Sequence, residues 1–321
     1  MRILLVKTSS LGDMIHNLPV VSDLHRRVPD ARIDWVVEEG FADIPRLHPG
    51  VERVIPLALR RWRKRLLARE TRIQIAAFRR DLQENAYDVV LDTQGLIKSA
   101  FVVRQARLAP AGRRCGFSSE AAREPLAARG YDEGFSIPRN AHAVERNRWL
   151  AAAVFSYLPD LPLEYGLVAS PLSAPWVPPR DHAILLTATS RDDKLWPEAH
   201  WMAFARQLDR QGICAVLPAG SPEERLRAMR IATAVPGAIV APSLGIAELA
   251  GLMAGARAVV GVDTGLTHLG AALGKPTLAL FCGSDPSLTG VHADGRVCNL
   301  GGKGAPPAPE DAFHALCGLL A

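Results

Sequence analysis

The sequence predicts an α/β protein made of two doubly wound domains, and three observations carry that reading. Short apolar runs alternate with longer stretches of helical period along almost the whole chain, the rhythm of βα units around a mainly parallel sheet. Six prolines (Pro159, Pro162, Pro171, Pro175, Pro178 and Pro179) crowd one stretch, where fixed φ and the missing N–H disfavour both a helix and a central strand. The charge divides at the same place: residues 1–160 hold 26 basic and 19 acidic side chains, residues 161–321 hold 12 and 14. We therefore expect one domain over 1–165, a second over 180–321, and a proline-rich linker at 166–179. The two domains are expected to face each other across a cleft.

Taken in order, the apolar runs place strands of the first domain at about 2–7, 32–37, 52–56, 88–92 and 112–116. Helical spacing fills the intervals at about 13–27, 69–84 and 96–107, with a further helix near 140–155. The second domain repeats the pattern, with strands at about 183–187, 213–218, 257–262 and 277–281 and helices at about 198–211, 222–233, 246–254 and 265–273. The Gly- and Pro-rich stretch 301–309 reads as a surface loop before a short helix at about 310–320. With 321 residues, each domain buries a core without disulfides or structural metal, which excludes disordered, collagenous and small stapled scaffolds. Five scattered cysteines without a C-x-x-C pair point to free thiols in a reducing compartment, and no zinc site is expected. The opening residues lack the form of a signal peptide and no apolar run reaches 18 residues, so neither a cleaved leader nor a membrane span is expected.

Ligands of such sheets lie beyond the carboxyl ends of the strands. The first of these loops reads Lys7-Thr-Ser-Ser-Leu-Gly-Asp13 and is expected to enter a helix at Met14. Asp13 then stands either as a helix cap or as a carboxylate able to take a proton from a hydroxyl. Neither G-x-G-x-x-G nor G-x-x-x-x-G-K-[ST] occurs here, which speaks against a dehydrogenase or P-loop kinase. In the second domain, Val262-Asp-Thr-Gly265 joins a strand to a helix carrying His268. A helix N-terminus offers N–H donors and partial positive charge to a phosphate, with Gly265 permitting close approach and Thr264 adding a hydroxyl. Thr189-Ser190-Arg191-Asp192-Asp193-Lys194 gathers hydroxyls and cations at another strand end. Both segments also admit bland readings, as a capped helix start and a solvated loop.

Arg60-Arg61-Trp62-Arg63-Lys64-Arg65, continuing through Arg69, Arg72, Arg79 and Arg80, is the most unusual composition in the chain. A nucleic acid, an anionic membrane and a solvated helix face are the alternatives to a compact polyanionic substrate. The last fits guanidinium forks best, since they match carboxylates and phosphates bidentately. Lys7, Lys98, Arg123 and Arg146 lie near loop ends of the same domain and extend that surface. Asp13, Asp92 and Asp263 are too dispersed to fix a metal coordination geometry.

Eight blocks in order, among them Arg2-Ile-Leu-Leu-Val-Lys-Thr-Ser-Ser-Leu-Gly-Asp13, Trp35-Val-Val-Glu-Glu-Gly-Phe41, Asp92-Thr-Gln-Gly-Leu-Ile-Lys98, His142-Ala-Val-Glu-Arg146 and Val262-Asp-Thr-Gly265, resemble the heptosyltransferase I family of lipopolysaccharide synthesis, within glycosyltransferase family 9. The resemblance runs from residue 1 to about 290, and nothing is carried over beyond that point. It implies a GT-B fold of two Rossmann-like domains, the first binding acceptor and the second nucleotide sugar, with closure during turnover. It also implies transfer of L-glycero-D-manno-heptose from ADP-heptose to the Kdo region of Kdo2-lipid A by an enzyme peripheral to the cytoplasmic face of the inner membrane; the residues agree with an inverting direct displacement, and neither cofactor nor metal is expected.

On the same basis Asp13 is the expected base and Lys194 the cation on the donor diphosphate. Thr189 and Ser190 lie beside the phosphates, Glu224 on the ribose and Leu244 against the adenine. Asp263, Thr264, Gly265 and His268 contact phosphate and sugar. Arg60, Arg61, Arg63, Lys64, Lys98, Arg123, Lys7 and Arg146 hold the acceptor's anionic groups. Ser190, Leu195 and Leu244 depart from the family pattern, which bears on donor affinity but spares every expected charge. Two readings compete: a GT-B transferase using another nucleotide sugar or a later heptose acceptor, and a basic nucleic-acid-binding regulator. The second leaves Asp13 and the phosphate loops unexplained, and no nucleic-acid partner is expected.

Overall fold

The computed structural model describes all 321 residues and divides into two compact units, Met1–Gly166 and Leu167–Ala321. The first unit runs β1 (Arg2–Val6), α1 (Leu11–Ile15), α2 (Leu18–Arg27), β2 (Arg32–Glu38), α3 (Asp43–Arg46), β3 (Val51–Leu57), α4 (Leu59–Trp62), α5 (Arg69–Gln83), β4 (Tyr87–Asp92), α6 (Ile97–Gln105), β5 (Leu108–Phe117), β6 (Glu133–Phe135) and α7 (Ala143–Phe155). Its six strands are all parallel, in the order β3-β2-β1-β4-β5-β6. Strand order reverses direction between β1 and β4, the switch point at which loops diverge and open a crevice.

The second unit repeats this plan with β7 (His182–Leu186), α8 (Glu198–Arg210), β8 (Cys214–Leu217), α9 (Pro222–Thr233), β9 (Ile239–Val240), α10 (Ile246–Ala254), β10 (Ala258–Val262), α11 (Gly265–Ala272), β11 (Thr277–Phe281), β12 (Val297–Gly301) and α12 (Pro309–Leu320). The order is β12-β11-β10-β7-β8-β9, again all parallel, with its switch point between β7 and β10. Each sheet is buried on both faces, which is why β1, β7, β10 and β11 read as continuous apolar runs. In the second unit Trp196, Trp201 and Phe204 pack edge to face, with the two indole rings 4.9 Å apart. No helix is long and apolar enough to cross a membrane.

Several expectations need correction. The single helix expected at 13–27 is two, broken at His16 and Asn17, because Pro19 lacks an N–H and is accommodated only in a first turn. The helix of the first loop starts at Leu11 rather than Met14. β5 begins four residues earlier than expected, after a register shift against β4; Gly112 sits where a Cβ would stand 2.4 Å from the Tyr87 carbonyl oxygen. Strands β6, β9 and β12 were not expected at all. Residues 167–179, read as part of a linker, fall in the second unit, where Leu172 N–H donates to the Gly251 carbonyl of α10 at 2.9 Å.

Candidate active site

At the switch point of the first unit, β1 delivers the loop Lys7–Ser10 and β4 delivers Thr93–Leu96. Gln94 binds the two loops together: its Oε1 accepts from Thr8 N–H at 2.6 Å and Ser9 N–H at 3.2 Å, and its amide donates to the Ser9 carbonyl. Buried Asp92 shapes the second loop, accepting from Gln94 and Gly95 N–H and, at 2.8 Å, from the Tyr131 hydroxyl. Burial pushes its carboxyl above the usual range. Asp92 is thus a framework residue, not part of any cluster with Asp13.

Asp13 is not the helix cap. Ser10 takes that position, and Asp13, third in the helix, accepts at Oδ2 from Ser10 N–H (2.6 Å) and Ser10 Oγ (3.2 Å). The capping and functional readings are therefore compatible: one oxygen anchors the carboxylate while Oδ1 makes no hydrogen bond within the chain. A half-exposed carboxylate held on a short rigid helix is suited to accept a proton from a hydroxyl presented at this crevice.

The basic residues separate into two groups. Arg60, Arg63, Lys64, Lys98 and Arg123 are exposed. Arg60 places its backbone N–H on Glu38 and its guanidinium 5.3 Å from the Phe41 ring. Lys98 Nζ donates to Ser9 Oγ at 2.5 Å, beside the Asp13 loop. Burial and then Arg60 pull that ammonium below its ordinary value, against Glu38 and Asp13. Three others are occupied inside the chain. Lys7 is buried, donating to the Thr93 carbonyl at 2.7 Å and Asn147 Oδ1 at 3.4 Å; burial lowers its pKa while Asp13 and Asp92 oppose the shift. Arg61 forks onto Glu39 at 3.0 and 2.8 Å and also reaches Gln74. Arg146 ties the Pro138 and Ala121 carbonyls and lies 4.9 Å from the Phe117 ring. These three build the site wall rather than present free charge.

In the second unit a cavity of about 240 Å³ opens at the carboxyl ends of β7, β8 and β10. Thr189, Ser190, Glu224, Leu244 and Thr264 all line it, together with Leu186, Pro218, Leu249 and Leu266. Apolar walls with a carboxylate and hydroxyls at the rim suit a flat base and its sugar. Glu224, third residue of α9, spends one oxygen on Gly220 N–H at 2.7 Å. Thr264 precedes α11 without capping it through its side chain; its carbonyl takes the Thr267 N–H at 3.0 Å, which leaves the Gly265 and Leu266 N–H groups for an anion. His268 is buried within α11 and is not among the cavity's lining residues.

Lys194 lies 19% exposed, with Nζ 2.7 Å from Oδ2 of Asp263 (13% exposed). The same oxygen accepts from Ser284 Oγ at 2.5 Å, and Thr189 Oγ1 donates to the Asp263 carbonyl at 2.9 Å. Asp263 accordingly positions Lys194 and Thr189; as a carboxylate it cannot itself receive a phosphate. The Lys194 turn presses on Gly283, where a Cβ would stand 2.4 Å from the Asp193 carbonyl oxygen. Arg191, the other cation of this loop, is turned onto Asp193. No role was expected for Ser284, nor for Gln94 beyond its place in the Asp92–Lys98 block, because their pairings, with Asp263 and with Thr8 and Ser9, are made between loops distant in the chain.

Two doubly wound units, one presenting an anchored carboxylate among cations and the other a nucleoside-sized cavity beside a lysine and a helix N-terminus, define a glycosyltransferase of the GT-B fold. The model of glycosyltransferase family 9 (heptosyltransferase) matches residues 75–311. The chain is 46% identical over 298 residues to lipopolysaccharide heptosyltransferase 1 of Pseudomonas aeruginosa, covering 92% of this chain and 83% of that one. It is also similar to the structure of Escherichia coli heptosyltransferase WaaC with ADP, at 39% identity and TM-score 0.91 over 99% of this chain and 100% of that one. With ADP-2-deoxy-2-fluoro heptose, the same enzyme is matched at 41% identity and TM-score 0.84 over 95% and 94%. The chain belongs to glycosyltransferase family 9, the heptosyltransferases.

Proposed function

We propose that this chain transfers L-glycero-D-manno-heptose from ADP-heptose to the Kdo region of Kdo2-lipid A, building the lipopolysaccharide inner core at the cytoplasmic face of the inner membrane. The observation that carries the reading is the second unit's cavity with Lys194 and the α11 N-terminus at its edge, in a chain similar to heptosyltransferases 1 and to structures holding ADP and an ADP-heptose analogue. In this scheme an acceptor hydroxyl oxygen attacks the anomeric carbon and Asp13 Oδ1 takes the proton. The bond from that carbon to the diphosphate breaks, its electron pair leaves with ADP, and the configuration inverts. Base assistance contributes roughly 10²- to 10⁴-fold, and stabilisation of the leaving diphosphate by Lys194 and the helix N-terminus roughly 10²- to 10³-fold. These fixed charges stand where another enzyme would use a divalent cation, so transfer is expected without one. Arg60, Arg63, Lys64, Lys98 and Arg123 would receive the acceptor's carboxylates and phosphates.

The test is ADP release from ADP-heptose with and without Kdo2-lipid A, in EDTA. Acceptor-dependent release supports the reading. Loss of release in EDTA that Mg²⁺ restores would overturn the metal-free scheme, and turnover of a UDP-sugar in preference to ADP-heptose would overturn the donor.

A further inference from the structure

We propose that the outer face of α5, α6 and the 3-10 turn Pro125–Gly130 is a docking surface for an anionic lipid bilayer. It rests on the reading that the acceptor is a membrane glycolipid, and it names where the chain meets the membrane. Large apolar side chains stand out here: Ile97 is 51% exposed, Phe101 65%, Leu126 55% and Ile73 59%. Ile97 and Phe101 are one helical turn apart on α6, opposite buried Ser99, Ala100, Val102 and Val103. The 3-10 turn is fixed beside them, since Glu124 accepts from Ile97 N–H at 2.7 Å and a Cβ on Gly130 would stand 2.8 Å from Ala100 Cβ. On α5, Ile73 shares the solvent face with Arg69, Arg72, Arg79 and Arg80, while Thr71, Phe78 and Leu82 face the core.

Charge selects the occupant. Arg104 and Arg129 add to the α5 arginines and are exposed; the acidic groups of this face are Glu70, Asp81, Glu84 and Glu124, of which Glu70 bonds Gln74 and Glu124 bonds backbone. An excess of guanidinium groups with single apolar side chains between them matches anionic headgroups above an acyl boundary. A second copy would bring the same excess of cations against itself, and a nucleic acid would leave Ile97 and Leu126 in water. Placement agrees: Ile97 points outward while the next residue, Lys98, reaches Ser9 in the Asp13 loop, so docking brings the acceptor crevice to headgroup level.

Co-sedimentation with phosphatidylcholine vesicles, with and without phosphatidylglycerol, tests this. Wild type should bind the anionic vesicles, and binding should weaken with salt. Phe101→Ser combined with Leu126→Ser should lower the partition coefficient roughly tenfold, and Arg72→Gln with Arg79→Gln about fivefold per charge on anionic vesicles only. Phe101→Trp should shift its emission to the blue on binding. Circular dichroism of every variant should match wild type, as should transfer to detergent-dispersed acceptor by the Phe101→Ser, Leu126→Ser pair. Wild-type binding that all these variants retain would overturn the surface while leaving the membrane reading intact. Failure of wild type to bind any vesicle would overturn both. Dimerisation or RNA binding lost on Phe101→Ser, without vesicle binding, would replace the bilayer as occupant.

Discussion

In the proposed scheme Asp13 does two jobs with one carboxylate, and two substitutions separate them. Its Oδ2 holds Ser10 N–H at 2.6 Å and Ser10 Oγ at 3.2 Å at the start of α1, the third-residue half of a capping box centred on Ser10, whose loss costs about 1 kcal/mol. In a unit of this size that lowers Tm by roughly 2–4 °C. Loss of the base raises the barrier by about 3–5 kcal/mol, or roughly 10²- to 10⁴-fold in kcat. Asp13→Ala removes both functions. Asp13→Asn keeps an oxygen that accepts from Ser10 N–H, so most of the cap survives, but the amide cannot take a proton. The expected outcome is a fall in kcat of the same order in both variants, with a clear drop in Tm only for alanine. Initial rates of ADP release at saturating donor and acceptor, beside thermal melts, decide it. If Asp13→Asn keeps kcat within a few-fold of wild type while Asp13→Ala loses activity in step with its Tm, the carboxylate is a cap and the base lies elsewhere.

Replacing Lys194 with Met should lower kcat by roughly 10²- to 10³-fold, whereas Asp263→Asn should cost less in kcat and tighten ADP binding, both read from steady-state kinetics and ADP titration. His48 is buried, with Nδ1 accepting from Gly50 N–H and Nε2 3.0 Å from Ser22 Oγ; burial, then His25, holds its pKa down at about 4. Its stabilising contribution is therefore present above the unfolded value near 6.5 and lost as pH falls towards 4, by up to about 3 kcal/mol; His48→Gln should flatten the Tm of the first unit across that window. Arg148 and Asp23 form a buried pair at 2.8 Å, and Arg148→Met should destabilise the first unit by about 3–5 kcal/mol in urea unfolding, with Asp23→Leu recovering most of the loss.

Long amphipathic or continuous apolar segments were legible without coordinates: α9 and α10 start and stop where their spacing, Pro222 and Gly245 indicate. Strands β6 and β9 were not, since two or three residues hold no periodicity and their pairing to β5 and β8 is made by distant chain. In the candidate site the loops were legible because strand ends and helix starts are local features. Direction was not. Lys7 reads as a surface cation after a strand, yet its ammonium is claimed by Asn147, 140 residues on, while Arg146 is taken by carbonyls 8 and 25 residues away and Arg61 by a carboxylate 22 residues away. Only the fold reveals which cations are already spoken for.

The same distinction explains why, in the proposed scheme, a carboxylate stands beside the donor diphosphate. A free lysine samples many rotamers and loses up to about 2 kcal/mol of side-chain entropy when a ligand fixes it. Asp263, itself held by Ser284, settles Lys194 beforehand, so that cost is met in folding rather than in binding. The carboxylate also subtracts from the site's positive charge, which weakens its hold on an anion that is merely bound. What remains is directional: an ammonium already aimed, and the Gly265 and Leu266 N–H groups at the start of α11. Such an arrangement gains most as charge grows on the departing diphosphate, and releases ADP more readily than a bare cluster of cations would. Neutralising Asp263 therefore trades rate for product affinity, the opposite of what loss of a phosphate contact would do.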